Sequence, residues 1–211
     1  MGNEILSKIL ILPAILIGIS IHEYGHALAA VKLGDDTPLY QGRLTLNPLK
    51  HLDPIGFLFL MLVGFGWAKP VMVNPRNFKN PRRDDIIVSI AGVTLNLLTA
   101  IVFVLIIKYM IQFQWSGLRT QTGQYLLTML FAVVQINIVL MVFNLIPIPP
   151  LDGHHIIQSI GGPKVYNFFR QYEQYIRIGL IVLLVTGYIR RFIGPIVMGI
   201  TNFLFVAFNV F

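Results

Sequence analysis

The 211-residue chain contains no cysteine, which excludes a disulfide scaffold and any thiolate-based zinc, haem or iron–sulfur site. Charge is scarce as well. Charged residues make up 12% of the chain, about half of what a soluble globular surface carries. Acidic groups are the rarest, nine against sixteen Lys and Arg, for a net charge of +7. No internal repeat, heptad register or low-complexity linker runs through it, so coiled-coil, collagen-like and disordered classes fall away. What is abundant is apolar. Hydrophobic residues make up 55% and the mean hydropathy is +0.73, values that belong to a chain dissolved in lipid. The basic residues gather between the apolar runs, as cytosolic loops of membrane proteins do, and this argues against a nucleic-acid partner.

The apolar runs predict an all-α polytopic membrane protein with about 4–6 membrane helices, a short re-entrant element and a small interfacial β-hairpin. Residues 5–33 read as one long helix. Residues 86–107 and 125–146 each approach the ~20 residues that cross ~30 Å of hydrocarbon. Residues 55–67 are too short to cross and carry Gly56, Gly64 and Gly66, so they are expected to enter and leave on one side. Phe57–Phe65 and Trp67 are there as interfacial anchors or as the wall of a gate. Residues 39–46 alternate around Gly42 and predict the hairpin, with a free edge that an unwound substrate could join. The tail, about 172–211, predicts two further helices, interrupted by Arg190-Arg191. The whole of 1–211 is expected to be one domain, with a core over about 5–160. Lys32, Arg43, Lys50, Lys69, Arg76, Lys79, Arg82, Arg83, Lys164 and Arg170 flank one side of the spans, and Arg119 alone the other. That asymmetry puts the first side in the cytosol.

His22-Glu23-Tyr24-Gly25-His26 is an H-E-x-x-H sequence. On a helix the two histidines stand one turn apart on one face, so both rings can reach one ion. Glu23 then lies beside the ion, placed to deprotonate a zinc-bound water. Ionisable groups on a membrane helix are costly unless they face a functional interior. A catalytic zinc takes three protein ligands, and the candidates for the third are His51, His154, His155 and the aspartates. Asp152 stands out. It follows the helix ending near Ile146, which returns to the side where His22 and His26 lie about 10–16 Å below the surface. Pro147, Pro149 and Pro150 stop that helix and leave irregular backbone, which at membrane depth needs protein or a watery cavity around it. His154 or His155 is the rival ligand.

These residues resemble the site-2 proteases, intramembrane zinc metalloproteases, in a compact prokaryotic form without PDZ or CBS domains. The likeness rests on His22–His26 and on Asn144…Pro147…Leu151-Asp152-Gly153. It extends to Gly42–Pro48 with His51, Asp53 and Pro54, and to Ala91-Gly92-Val93-Thr94-Leu95-Asn96, where Val93 replaces the family's proline. The resemblance implies one Zn2+ held by His22, His26 and Asp152, with Glu23 as the catalytic acid–base. It implies hydrolysis of a peptide bond in or near a transmembrane segment of a membrane-protein substrate, in a prokaryotic cell membrane with the site toward the cytosol. Asn144 and Asn96 are candidates to hold a substrate backbone, and His51 with Asp53 to steer a ligand or proton. Asn137 reads as a hydrogen bond between helices. The competing readings are a catalytically silent binder of membrane proteins and a metal transporter. The first has no use for Glu23; the second lacks carboxylates on residues 86–107 and 125–146.

Overall fold

A computed structural model describes residues 2–63 and 66–210. Among the described residues seven α-helices carry the fold: α1 (Gly2–Lys32), α2 (Thr37–Tyr40), α3 (Pro54–Val63), α4 (Pro81–Gln112), α5 (Gln121–Asn144), α6 (Asp152–Val185) and α7 (Tyr188–Ala207). Four contain a stretch long and apolar enough to cross a bilayer: Ile9–Lys32 of α1, and α4, α5 and α7. The protein is therefore an all-α polytopic membrane protein. Between lipid-facing helices there is little hydrophobic drive, so close backbone approach has to supply the contact. Gly25 provides it between α1 and α4: a Cβ there would stand 2.9 Å from the Ala91 carbonyl oxygen. Gly18 provides it between α1 and α5, where a Cβ would meet Leu140 at 2.8 Å. Val93, Ala100, Val104 and Ile107 of α4, Val134 and Ile138 of α5, and Leu204 and Phe205 of α7 make the largest buried cluster.

The segment expected to be re-entrant is so in outline. Asp53 caps α3 by accepting the Gly56 N–H at 2.8 Å. The chain then comes back beside its starting point: Leu52 pairs with Ala68, and the Lys69 N–H donates to the His51 carbonyl at 2.8 Å. Gly56 and Gly66 allow this return, because a Cβ at either would run into the other limb. Gly64 and Phe65 lie outside the described residues.

The hairpin expected over residues 39–46 is absent. Pro38 starts a short helical turn, Asp35 accepts both the N–H (3.1 Å) and the hydroxyl of Thr37, and Gly42 at φ 64° ends it. The buried Arg43 guanidinium then binds the carbonyls of Lys50 and Lys69, drawing the strand-like alternation into turns. Local donors and a cation aimed at carbonyls won over the period-two pattern. Among the described residues the Leu52–Ala68 bridge is the one β pairing.

Candidate metal centre

α1 and α4 run antiparallel, and their contact seats both histidines. His22 Nδ1 lies 2.7 Å from Asn96 Oδ1, and His26 Nδ1 lies 2.8 Å from the Val88 carbonyl oxygen. A carbonyl only accepts, so His26 Nδ1 carries the proton. The Asn96 amide is oriented just as firmly: its Nδ2 donates to the Gly18 carbonyl (3.1 Å) and to Asn137 Oδ1 (2.8 Å). Its oxygen therefore faces His22, whose Nδ1 is also the protonated nitrogen. Asn137 closes the chain by donating to the Val133 carbonyl at 2.8 Å. Both asparagines are fully buried.

With Nδ1 protonated on each ring, both Nε2 atoms present lone pairs, and they stand 3.0 Å apart. Asp152 Oδ2 stands 3.2 Å from one and 3.3 Å from the other. That oxygen is buried and receives no hydrogen bond among the described residues. Three acceptors converging without a proton repel one another unless a cation sits among them. Tetrahedral zinc bonds of ~2.0–2.1 Å put ligand atoms ~3.3 Å apart, which is the spacing here. The donor set fits the ion, and no other trio of such side chains gathers among the described residues.

Delivery of Asp152 depends on the turn after α5. The Leu145 N–H closes α5 on Met141, the Ile148 N–H reaches the Ile146 carbonyl, and the Leu151 N–H reaches the Ile148 carbonyl. A Cβ on Gly153 would strike the carbonyl oxygens of Leu145 and Ile146, so this close turn requires glycine. Gly92 leaves room in the same way. A Cβ there would lie 2.7 Å from His26 Nε2 and 2.9 Å from His22 Cε1.

Glu23 is buried beside the trio, and its Oε2 accepts the Val71 N–H at 2.9 Å. Val71 was not singled out by sequence, since nothing in its identity marks a backbone donor arriving from 48 residues away. The other predicted residues separate from the centre. His154 donates Nδ1–H to the Leu151 carbonyl (2.7 Å), and His155 lies 3.6 Å from Asp85. Neither joins the trio. His51 and Asp53 do not pair: His51 Nε2 bonds the Thr45 carbonyl at 2.8 Å, while Asp53 is spent on capping α3. Asn144 donates to the Leu140 carbonyl of its own helix at 2.9 Å. Asn96 reaches the centre through His22.

Comparison with known proteins agrees with this chemistry. Residues 109–186 match the model of peptidase family M50. YwhC of Bacillus subtilis strain 168, provisionally named a zinc metalloprotease, is 44% identical over 174 residues, covering 82% of this chain and 78% of that protein. Rip2 of Mycolicibacterium smegmatis, provisionally named likewise, is 26% identical over 200 residues, covering 92% of this chain and 74% of its own length. Rip2 of Mycobacterium tuberculosis strain H37Rv is 27% identical over 185 residues, covering 83% and 66%. No solved structure matches.

Proposed function

Given that the chain belongs to peptidase family M50, the site-2 proteases, and is a zinc metalloprotease of the membrane, we propose that it cuts a peptide bond in or near a transmembrane segment of another membrane protein. The observation that carries this reading is the convergence of three unprotonated acceptors, His22 and His26 on the span-length helix α1 and Asp152 at the start of α6. His22, His26 and Asp152 would hold the zinc. When bound, zinc supplies a Lewis acid that polarises a carbonyl and acidifies water.

The chain's own groups do the rest. Glu23 takes the proton from the attacking water and returns it to the leaving amine. The Val71 N–H, donating to one carboxylate oxygen, fixes the Glu23 side chain beside the trio. Asn96 keeps His22 in the tautomer whose Nε2 is bare. An apolar cavity of about 820 Å³ opens between α1, α3, α5 and α7, lined by Ile15, Phe57, Trp67, Val139 and Ile193 among others. It offers apolar side chains of a substrate a place at membrane depth. The metal-site end of the spans carries most of the Lys and Arg, which favours a cytosolic site in a bacterial cell membrane. The spans and α6 act together as one catalytic domain.

The test is Glu23→Gln in proteoliposomes containing a set of single-span reporter proteins. The variant should keep one zinc per chain and lose cleavage. Cleavage at the parental rate by this variant would refute the assigned mechanism. Zinc retention by the parent with reporter capture but no cutting would make it a binding protein instead.

A further inference from the structure

Each long helix can be assigned a direction. His26 against Val88 and Asn96 against Gly18 set α1 and α4 antiparallel; Gly18 meets α5 at Ile136 and Leu140, and Asp152, just past the end of α5, meets His22 and His26 further along α1, so α1 and α5 run parallel. The end of α1, the start of α4 and the end of α5 thus share the metal-site side. α7 runs opposite to α5. Phe205 stacks on Phe131 with centroids 5.4 Å apart, while Val197 and Ile193, about two and three turns earlier, share a cavity wall with Val139, Leu140 and Phe143. So α7 begins on the metal-site side. α6 begins there too, with Asp152 at the centre. A helix with both ends on one side does not cross the bilayer.

α6 bends where Gly162 takes φ 66° and ψ −158°. Residues 152–161 follow α4, with Ser159 donating to Asp85 at 3.1 Å. The chain then folds back, and Phe169 packs edge-on against the His154 ring at 5.9 Å. Beyond that, residues 163–185 bury little more than Phe169 and Leu180. Tyr166, Phe168, Tyr172 and Tyr175 stand exposed, Tyr175 at 73%, followed by exposed Ile178, Ile181, Val182 and Val185. Lys164, Arg170 and Arg177 lie among the aromatics against Glu173 alone, which pairs with Arg177 at 2.5 Å. Lys164 and Arg170 make no ion pair among the described residues.

We propose that residues 163–185 lie in the membrane interface on the metal-site side and bind anionic phospholipid headgroups through Lys164 and Arg170. Tyr rings belong at headgroup level, the exposed aliphatic residues dip into the acyl boundary, and the cations meet phosphates. A soluble partner would leave the aliphatic end unexplained. The four remaining spans then put Arg190 and Arg191 on the side already rich in Lys and Arg, and only Lys8, Lys108 and Arg119 belong toward the other end.

The absence of cysteine makes the test direct. Single cysteines at Thr186, Gln41 and Gln114 are labelled with a membrane-impermeant maleimide in sealed vesicles of both orientations. Thr186→Cys should react from the side of Gln41→Cys and be protected from the side of Gln114→Cys; the reverse overturns the proposal. In mixed micelles, phosphatidylglycerol and phosphatidylcholine are measured on the purified full chain with its zinc content unchanged. Lys164→Ala and Arg170→Ala should each weaken phosphatidylglycerol binding about fivefold at low salt and leave phosphatidylcholine alone. Unchanged phosphatidylglycerol binding in the double variant removes the headgroup assignment.

Discussion

Gly92 is the position at which one methyl group would reach the metal centre. Its added Cβ would lie 2.7 Å from His26 Nε2 and Cε1, and neither ring can retreat without breaking its bond to Val88 or Asn96. Gly92→Ala should therefore purify with little zinc, while Gly179→Ala, which has nothing within 4 Å of the new Cβ, should keep it. Zinc analysis of the two purified variants decides this. Asn96→Ala acts one bond further out. Loss of the Nδ1 acceptor frees the His22 ring, and metal affinity should fall about 10–100-fold in competition with a chelator. Sequence spacing made His22, Glu23 and His26 legible because helical periodicity alone stacks them. Asp152 was legible because three prolines and a return to the same side left it few places to be. Gly92 and Val71 were not legible as parts of the centre, because what they contribute is an absent side chain and a main-chain N–H. Both depend on which backbones meet.

At the scale of elements, the segment from Lys69 to Phe78 is pinned over α1 at both ends. Lys69 bonds the His51 carbonyl, and at the far end the Asn74 N–H (2.7 Å) and Asn77 Nδ2 (2.7 Å) bond Asp35. Val71, between them, holds Glu23. Burial on its own would raise the Asp35 pKa, but donors from Thr37, Asn74 and Asn77 outweigh it and hold the carboxyl below its ordinary 3.8. A carboxyl more acidic folded than unfolded stabilises the fold fully above that ordinary value, and the contribution is lost as pH falls through the folded value. The clasp should thus be intact at neutral pH and open in acid below 3.8. The protection factor of the Asn74 amide, its exchange rate referred to the unprotected rate at the same pH, should fall over that acid range in the parent. Asp35→Ala should show a low protection factor at every pH, at a local cost of about 1–3 kcal/mol. The hairpin expected over residues 39–46 failed for a related reason. Alternation was visible in the sequence, but the competing acceptors of Asp35 and the carbonyls around Arg43 were not.

At the scale of the molecule, sequence charge gave a sidedness, and on the proposal above the two tail helices become one span, α7, and one helix, α6, with both ends on the metal-site side. The apolar end of α6 resembles half a span in sequence, so the number of crossings was not legible there; Phe205 against Phe131, with Ile193 and Val197 on one cavity wall with Val139 and Phe143, sets the direction of α7. The same direction places Gly194 on the wall of the apolar cavity, with nothing within 4 Å of a Cβ built there. A larger side chain at this point costs the fold little, since it also removes a glycine from a helix interior. Gly194→Leu would intrude on the cavity without touching His22, His26, Asp152 or Glu23. If the cavity admits substrate, this variant should bind zinc like the parent and cleave a transmembrane reporter more slowly, on the order of tenfold. A soluble peptide spanning the same scissile bond should be cut at an unaltered rate, because it has no membrane segment to seat. Equal slowing of both substrates would place the defect at the catalytic groups, and no slowing of either would mean that the transmembrane segment reaches Glu23 by another face of the bundle.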